Sequence, residues 1–207
     1  MNFQRELARN GEAILKIDGL ALVSTFDPSK EAAAWALKSV TEIGTHTSVI
    51  MIGGGCGYHV KALKNLRPEL SVAVIEQNEA VAAFIGDVHP EIKDVIVAET
   101  ALELTQSMRL RDFLAGRFAT LSHPAQAQMR PEWNASIARF LTARDPLSFL
   151  MQLRMRPELY SLFEADKILK LDPNAPLSIL TVRSLFKDDA KSSRERRIWR
   201  VLEELIV

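Results

Sequence analysis

One cysteine, Cys56, stands in the whole chain of 207 residues. A lone thiol excludes an internal disulfide framework and suits a reducing cytosol. Excess charge of either sign is missing too, because 26 lysines and arginines balance 26 aspartates and glutamates. A formal net charge of zero gives no overall electrostatic case for nucleic acid or a membrane surface. No apolar run approaches the roughly 18 residues that read as a membrane span, and the opening MNFQRELARNGE is too polar for a signal peptide. The expectation is a cytoplasmic protein without a membrane span or a nucleic-acid partner. Internal repeats and low-complexity tracts are missing as well. What is present is ordinary for a globular chain able to bury a sizeable core: 47% apolar and 25% charged residues.

The most informative stretch is Val49-Ile50-Met51-Ile52 followed by Gly53-Gly54-Gly55-Cys56-Gly57-Tyr58-His59. An unbroken apolar run is expected of a strand buried on both faces of a parallel sheet. Four glycines follow within five positions, and Val60 to Leu66 reads as a helix. Strand, glycine-rich turn and helix make the first half of a nucleotide-binding βαβ unit. Glycine permits positive φ in the turn and removes the Cβ atoms that would hold a ligand off the backbone. The helix start offers free amides and the positive end of its dipole to that ligand. The spacing is Gly53-x-Gly55-x-Gly57, with Tyr58 breaking the dinucleotide pattern. Ser71 to Glu76 supplies the second strand, an apolar run closed by an acid 23 residues after Gly53. An acid about 20 residues on is the one that meets a ribose diol.

IGGGCG followed by VIEQNEAV resembles the S-adenosylmethionine-binding region of class I methyltransferases, most closely that of spermidine-synthase-like proteins, from Val49 to Thr100. The resemblance implies S-adenosylmethionine as cofactor, held by Gly53, Gly54, Gly55, Gly57, Tyr58, His59 and Glu76. It also implies that Glu99, closing a third strand from Asp94 to Ala98, meets the adenine amine. Glu99 reads equally well as the acid at the start of the next helix. Either Tyr58 and His59 line the pocket, or Tyr58 packs against the sheet while His59 caps the helix or faces solvent.

A second resemblance joins STFDPSKEAAAWA to GGGCGYHVKAL. Together they are similar to the N-terminal domain of the motility accessory factor family, associated with flagellin glycosylation. Asp27, Pro28, Glu31, Ala32, Gly53, Gly55, Gly57, Tyr58 and His59 carry the match, which extends further if Leu121 to Pro124 and Arg130 to Trp133 are included. Members of that family continue into a larger domain thought to hold the transferase chemistry. This sequence stops at Val207, so the resemblance implies a fold and a context without an active site.

The expected fold is α/β, a doubly wound and mostly parallel Rossmann sheet of the class I methyltransferase type. An N-terminal β-hairpin precedes it and a helical extension follows. Residues 1–45 are expected to be a hairpin and helix packed on the core. Residues 46–144 are the nucleotide-binding core, and 145–207 a helical extension with a late strand. In chain order, Asn2 to Asn10 reads as a short helix stopped by Gly11. Ile14 to Ile17 and Leu20 to Val23 read as a hairpin, since Asp18-Gly19 suits a type I′ turn. Asp27 caps a helix that has Pro28 in its first turn and ends at Gly44. Asn78 caps a helix stopped by Gly86. One helix is expected from Thr100 to Leu114, then a fourth strand from Phe118 to Leu121, in sheet order 3-2-1-4. Helices over Glu132–Leu141, Pro146–Met155 and Glu158–Leu169 follow. Leu177 to Val182 reads as an edge strand. Ser193 to Val207 reads as an amphipathic helix with Ile198, Val201, Leu202 and Leu205 on one face, offering a homodimer surface.

Other chemistries find little support. His46, His59, His89 and His123 show no metal-ligand spacing. Cys56 at a helix start is a weak thiol candidate. Neither a nucleophile elbow nor a Gly-Lys-Ser/Thr ending is present. After the fourth strand stands Ser122-His123-Pro124 in place of an acceptor motif, with no acid pair for aminopropyl transfer. His123 is the candidate general base. The basic residues among Lys187 to Arg200 are interleaved with acids and read as a solvated face. Two functions follow: S-adenosylmethionine-dependent transfer to an unknown acceptor, or a non-catalytic accessory module binding a nucleotide-type small molecule or a partner protein.

Overall fold

The computed structural model describes residues 1–173 and 175–186. The chain divides into two compact units, Met1–Leu141 and Thr142–Val207. The helix read over Ser193 to Val207, its basic neighbours and the proposed dimer face lie outside the described residues.

The first unit begins with an antiparallel sheet of β1 (Phe3–Leu7), β2 (Ala13–Ile17) and β3 (Leu20–Ala21), in that order. The expected hairpin is present, with Asp18 at φ 51° and Gly19 at φ 83°, the two positive angles of a type I′ turn. The expected N-terminal helix is not: Phe3 to Leu7 is a strand, with Phe3 facing Ile17 and Leu7 facing Ala13. A helix of so few residues, lacking an apolar stripe, is marginal alone, and the open edge of β2 offers the same backbone a full ladder.

Helix α1 (Pro28–Ile43) starts where expected. Asp27 caps it by accepting the Lys30 N–H at 2.9 Å, and Gly44 follows its last turn. Its inner face, with Ala32, Ala36 and Ile43, is fully buried, and small alanines let it lie close against the helix after the glycine turn.

Four parallel strands form the second sheet: β4 (Ser48–Ile52), β5 (Ser71–Glu76), β6 (Val95–Val97) and β7 (Ala119–Ser122). Their order is β6-β5-β4-β7, the expected 3-2-1-4. The chain builds outward from β4 to β6 and then returns to the other side of β4. The carboxyl ends of β4, β5 and β7 therefore flank a topological switch point, where α/β sheets keep their ligand crevice. Val49 to Ile52 are completely buried, as a central strand covered on both faces requires. Helices α2 (Tyr58–Leu66) and α3 (Glu79–Val88) follow β4 and β5.

Two helix boundaries differ from expectation. Gly86 does not stop α3, which runs on to Val88 with Asn78 as its N-cap. The single helix expected from Thr100 is two, α4 (Ala101–Leu104) and α5 (Met108–Leu114). Thr105 turns its hydroxyl back onto the Leu102 carbonyl, and Ser107 caps the second piece at the Leu110 amide. Short hydroxyl side chains compete with the helix for its backbone groups and divide it. Helices α6 (Pro124–Met129) and α7 (Pro131–Thr142) each begin on a proline, and Trp133 of α7 donates its indole N–H to the Ala98 carbonyl at 3.2 Å.

The second unit is helical: α8 (Pro146–Arg154), α9 (Pro157–Tyr160), α10 (Ala165–Ile168) and α11 (Ile179–Ser184). The helix expected over Glu158–Leu169 is interrupted. Phe163 turns inward between α9 and α10, with its ring against Phe149 at 5.3 Å and Phe186 at 4.2 Å. The late strand expected over Leu177–Val182 is instead helix α11. Ser178 caps it by accepting the Thr181 amide at 3.1 Å, and this local contact overrides the β-branched run.

Candidate functional site

The glycine turn stands where the βαβ pattern locates it, between β4 and α2, and every residue from Met51 to Val60 is buried. The Gly53 amide extends the sheet by donating to the Ile75 carbonyl at 2.7 Å. The next two amides leave the sheet and meet side chains. Gly54 N donates to Glu76 Oε2 at 2.9 Å, and Gly55 N donates to Gln126 Oε1 at 2.7 Å. Gly55 has φ 55°, and a Cβ there would stand 2.2 Å from His123 Nε2. A Cβ on Gly53 would stand 2.5 Å from Gln126 Oε1, and one on Gly57 2.6 Å from His89 Cδ2. The space cleared by the missing Cβ atoms is filled by side chains of this same chain.

Glu76 closes β5 with 0% exposure. Its carboxylate accepts from Gly54 N, from the Gln77 and Asn78 amides at 2.8 and 3.4 Å, and from Gln126 Nε2 at 2.9 Å to each oxygen. Burial raises its pKa above the usual carboxylate range, and these donors pull in the opposite direction. Gln126, the one buried residue of α6, is thus satisfied at both ends. Its N–H groups go to Glu76 and its oxygen to the turn.

His123, at the end of β7, has no exposed surface. Its backbone amide continues the sheet to the Ile52 carbonyl at 2.9 Å. Its ring caps α6, with Nδ1 accepting the Gln126 N–H at 3.4 Å, and this assigns the ring proton to Nε2. Among the described residues that Nε2 has no hydrogen-bond partner. Burial, and then the neighbouring His59, hold the His123 pKa well below the usual histidine value. His59 is 1% exposed. Its ring stands edge-on to His123 at 4.5 Å and to Trp35 at 4.9 Å, and burial lowers its pKa to about 4.

Tyr58 turns away from the crevice. Its hydroxyl donates to the Ala13 carbonyl on β2 at 2.9 Å, and burial raises its pKa to about 12. Cys56 also faces the hairpin, its Sγ accepting the Leu15 amide at 3.3 Å. Burial raises this thiol to about 12, which leaves no thiolate near neutral pH. Glu99 is exposed, and its backbone amide is bound by Glu103 at 2.9 Å beside the Thr100 cap of α4.

Gly53, Gly54, Gly55, Glu76, His59 and His123 therefore converge, whereas Tyr58 serves the hairpin and Glu99 the start of α4. Sequence reasoning missed Gln126 and weighed His89, which packs against Gly57, only as a metal ligand. The available signal for Gln126 was a polar side chain three residues after His123, within a helix start that faces the switch point. Among the described residues no group of three or more histidines, cysteines or acids could hold a metal ion, and no helix is long and apolar enough to cross a membrane. Comparison with protein-family models, curated proteins and solved structures finds no match. The class is set by the fold itself: mixed α/β with a four-stranded all-parallel sheet, compatible with a Rossmann-like arrangement.

Proposed function

We propose that the chain is a non-catalytic accessory module, built on a nucleotide-binding type of frame whose crevice its own side chains fill. One observation carries this reading. Gln126 occupies both polar positions that a nucleoside ligand would need, the Glu76 carboxylate and the Gly55 amide. An acid at the end of the second strand ordinarily takes a ribose diol, and the amides of the turn take an anionic group. His123 adds support. A general base must reach the proton it removes, and this ring is fully buried behind Gly55. The role agrees with the resemblance to the motility accessory factor N-terminal domain.

The competing reading is an S-adenosylmethionine-dependent methyltransferase. It draws on the glycine spacing and the position of Glu76, and it requires Gln126 to leave the crevice. Calorimetric titration of the purified protein with S-adenosylhomocysteine separates the two. The accessory reading expects no saturable heat at millimolar ligand. Micromolar binding that is lost in Glu76→Ala would overturn it in favour of the methyltransferase.

A further inference from the structure

We propose that the glycine turn and Glu76 form a recognition site for a primary carboxamide, with Gln126 as its tethered occupant. The inference rests on the closed crevice described above and goes beyond it by naming the chemistry that the crevice selects.

The site presents an acceptor and a donor at separate positions. Glu76 offers two carboxylate oxygens, each 2.9 Å from the Gln126 nitrogen. The Gly55 N–H lies 2.7 Å from the Gln126 oxygen. A primary carboxamide matches this pair, because it donates through nitrogen and accepts through oxygen in one rigid plane. A carboxylate ligand would place like charge against Glu76, and a tertiary amide has no N–H to give. The glutamate in turn needs its donors, since a buried carboxylate without them is costly. His123 stands beside the site. Its Nε2 is fully buried, has no partner among the described residues and lies against Gly55.

Gln126 holds this site by tethering. A group carried on the fold acts at an effective concentration in the millimolar range or above, so a weak free ligand does not displace it. Truncation to alanine removes one methylene and the carboxamide, a fragment equivalent to acetamide.

The experiment is thermal denaturation of the wild type and Gln126→Ala in acetamide, N,N-dimethylacetamide and acetate. The variant is expected to melt below the wild type and to regain stability saturably with acetamide alone, as ligand bound only to the folded state requires. The wild-type Tm in each cosolvent gives the general effect of that cosolvent, and the response of the variant is read relative to it. A folded Gln126→Ala that acetamide stabilises no better than dimethylacetamide overturns the proposal.

If that variant does not fold, Gln126→Glu tests the same site. It keeps the shape and puts a second carboxylate against Glu76 of β5. The other titratable neighbours are His123 at the end of β7, His59 of α2 behind it and Cys56 of the turn, whose thiol interacts with the Glu76 charge. Stability lost at neutral pH should return as pH falls and the two acids share a proton. A deficit independent of pH overturns the proposal. Failure of the closed-crevice reading is seen separately, as S-adenosylhomocysteine binding to the wild type.

Discussion

His59 lies between two rings, Trp35 at 4.9 Å and His123 at 4.5 Å, with 1% of its surface exposed. Charging it there means ionising an imidazole away from water, so its pKa falls from 6.5 to about 4. An unfolded chain protonates this residue near its ordinary value, so between those two pH values the unfolded state binds the extra proton. The stability contributed by neutral His59 is therefore complete above pH 6.5 and is lost as pH falls through about 4. The shift corresponds to on the order of 3 kcal/mol. His123 acts in the same direction. Glu76, with its pKa raised, acts oppositely, losing stability as pH rises through its folded value. Urea denaturation of His59→Phe beside the wild type isolates the histidine. The wild type should lose stability relative to the variant on going from pH 6.5 to 4, and parallel curves would count against a buried neutral imidazole. Glu76 was readable as a site residue because a strand-ending acid follows the glycine turn at a known interval. Gln126 was not, because 50 residues separate it from Glu76 and only the return of β7 beside β4 brings it home.

The glycines divide by what surrounds them. Gly55 combines φ 55° with His123 at 2.2 Å from a virtual Cβ. Alanine there meets both backbone strain and an overfilled core, a loss of about 2–4 kcal/mol. Gly86 lies in open space on the exposed side of α3. Alanine there removes unfolded-state freedom and should stabilise by about 0.4–1 kcal/mol. Chemical denaturation of the two variants should move in opposite directions; a neutral Gly55→Ala would contradict the packed turn. Gly86 does not stop α3, because glycine in an exposed turn costs too little to end a helix that Phe84 and Ile85 anchor in the core. The hairpin was readable from Asp18-Gly19, where the turn chemistry is local. The β1 strand was not, since its pairing partner β2 rather than its own pattern decides its state. In α11, an apolar run suggested a strand, while Ser178 supplied the cap that makes it a helix.

At the scale of the molecule, the sheet order β6-β5-β4-β7 follows from alternating apolar runs and helical stretches, and it is legible in the sequence. It creates a switch point at the carboxyl end of β4. What no pattern in the sequence discloses is whether that crevice is open. The answer depends on three segments meeting: the turn after β4, the acid ending β5 and the short helix after β7. They meet with their polar groups paired to one another, apart from ring nitrogens of His59 and His123 that have no partner among the described residues. The most direct measurement of the closed crevice is amide hydrogen exchange at Gly54 and Gly55, resolved by NMR without added ligand. Both amides are bound to buried side chains, so they should be protected as strongly as the sheet amides of β4. Exchange as fast as that of an exposed loop would mean that Glu76 and Gln126 do not hold the turn, and the account of a filled crevice would fail.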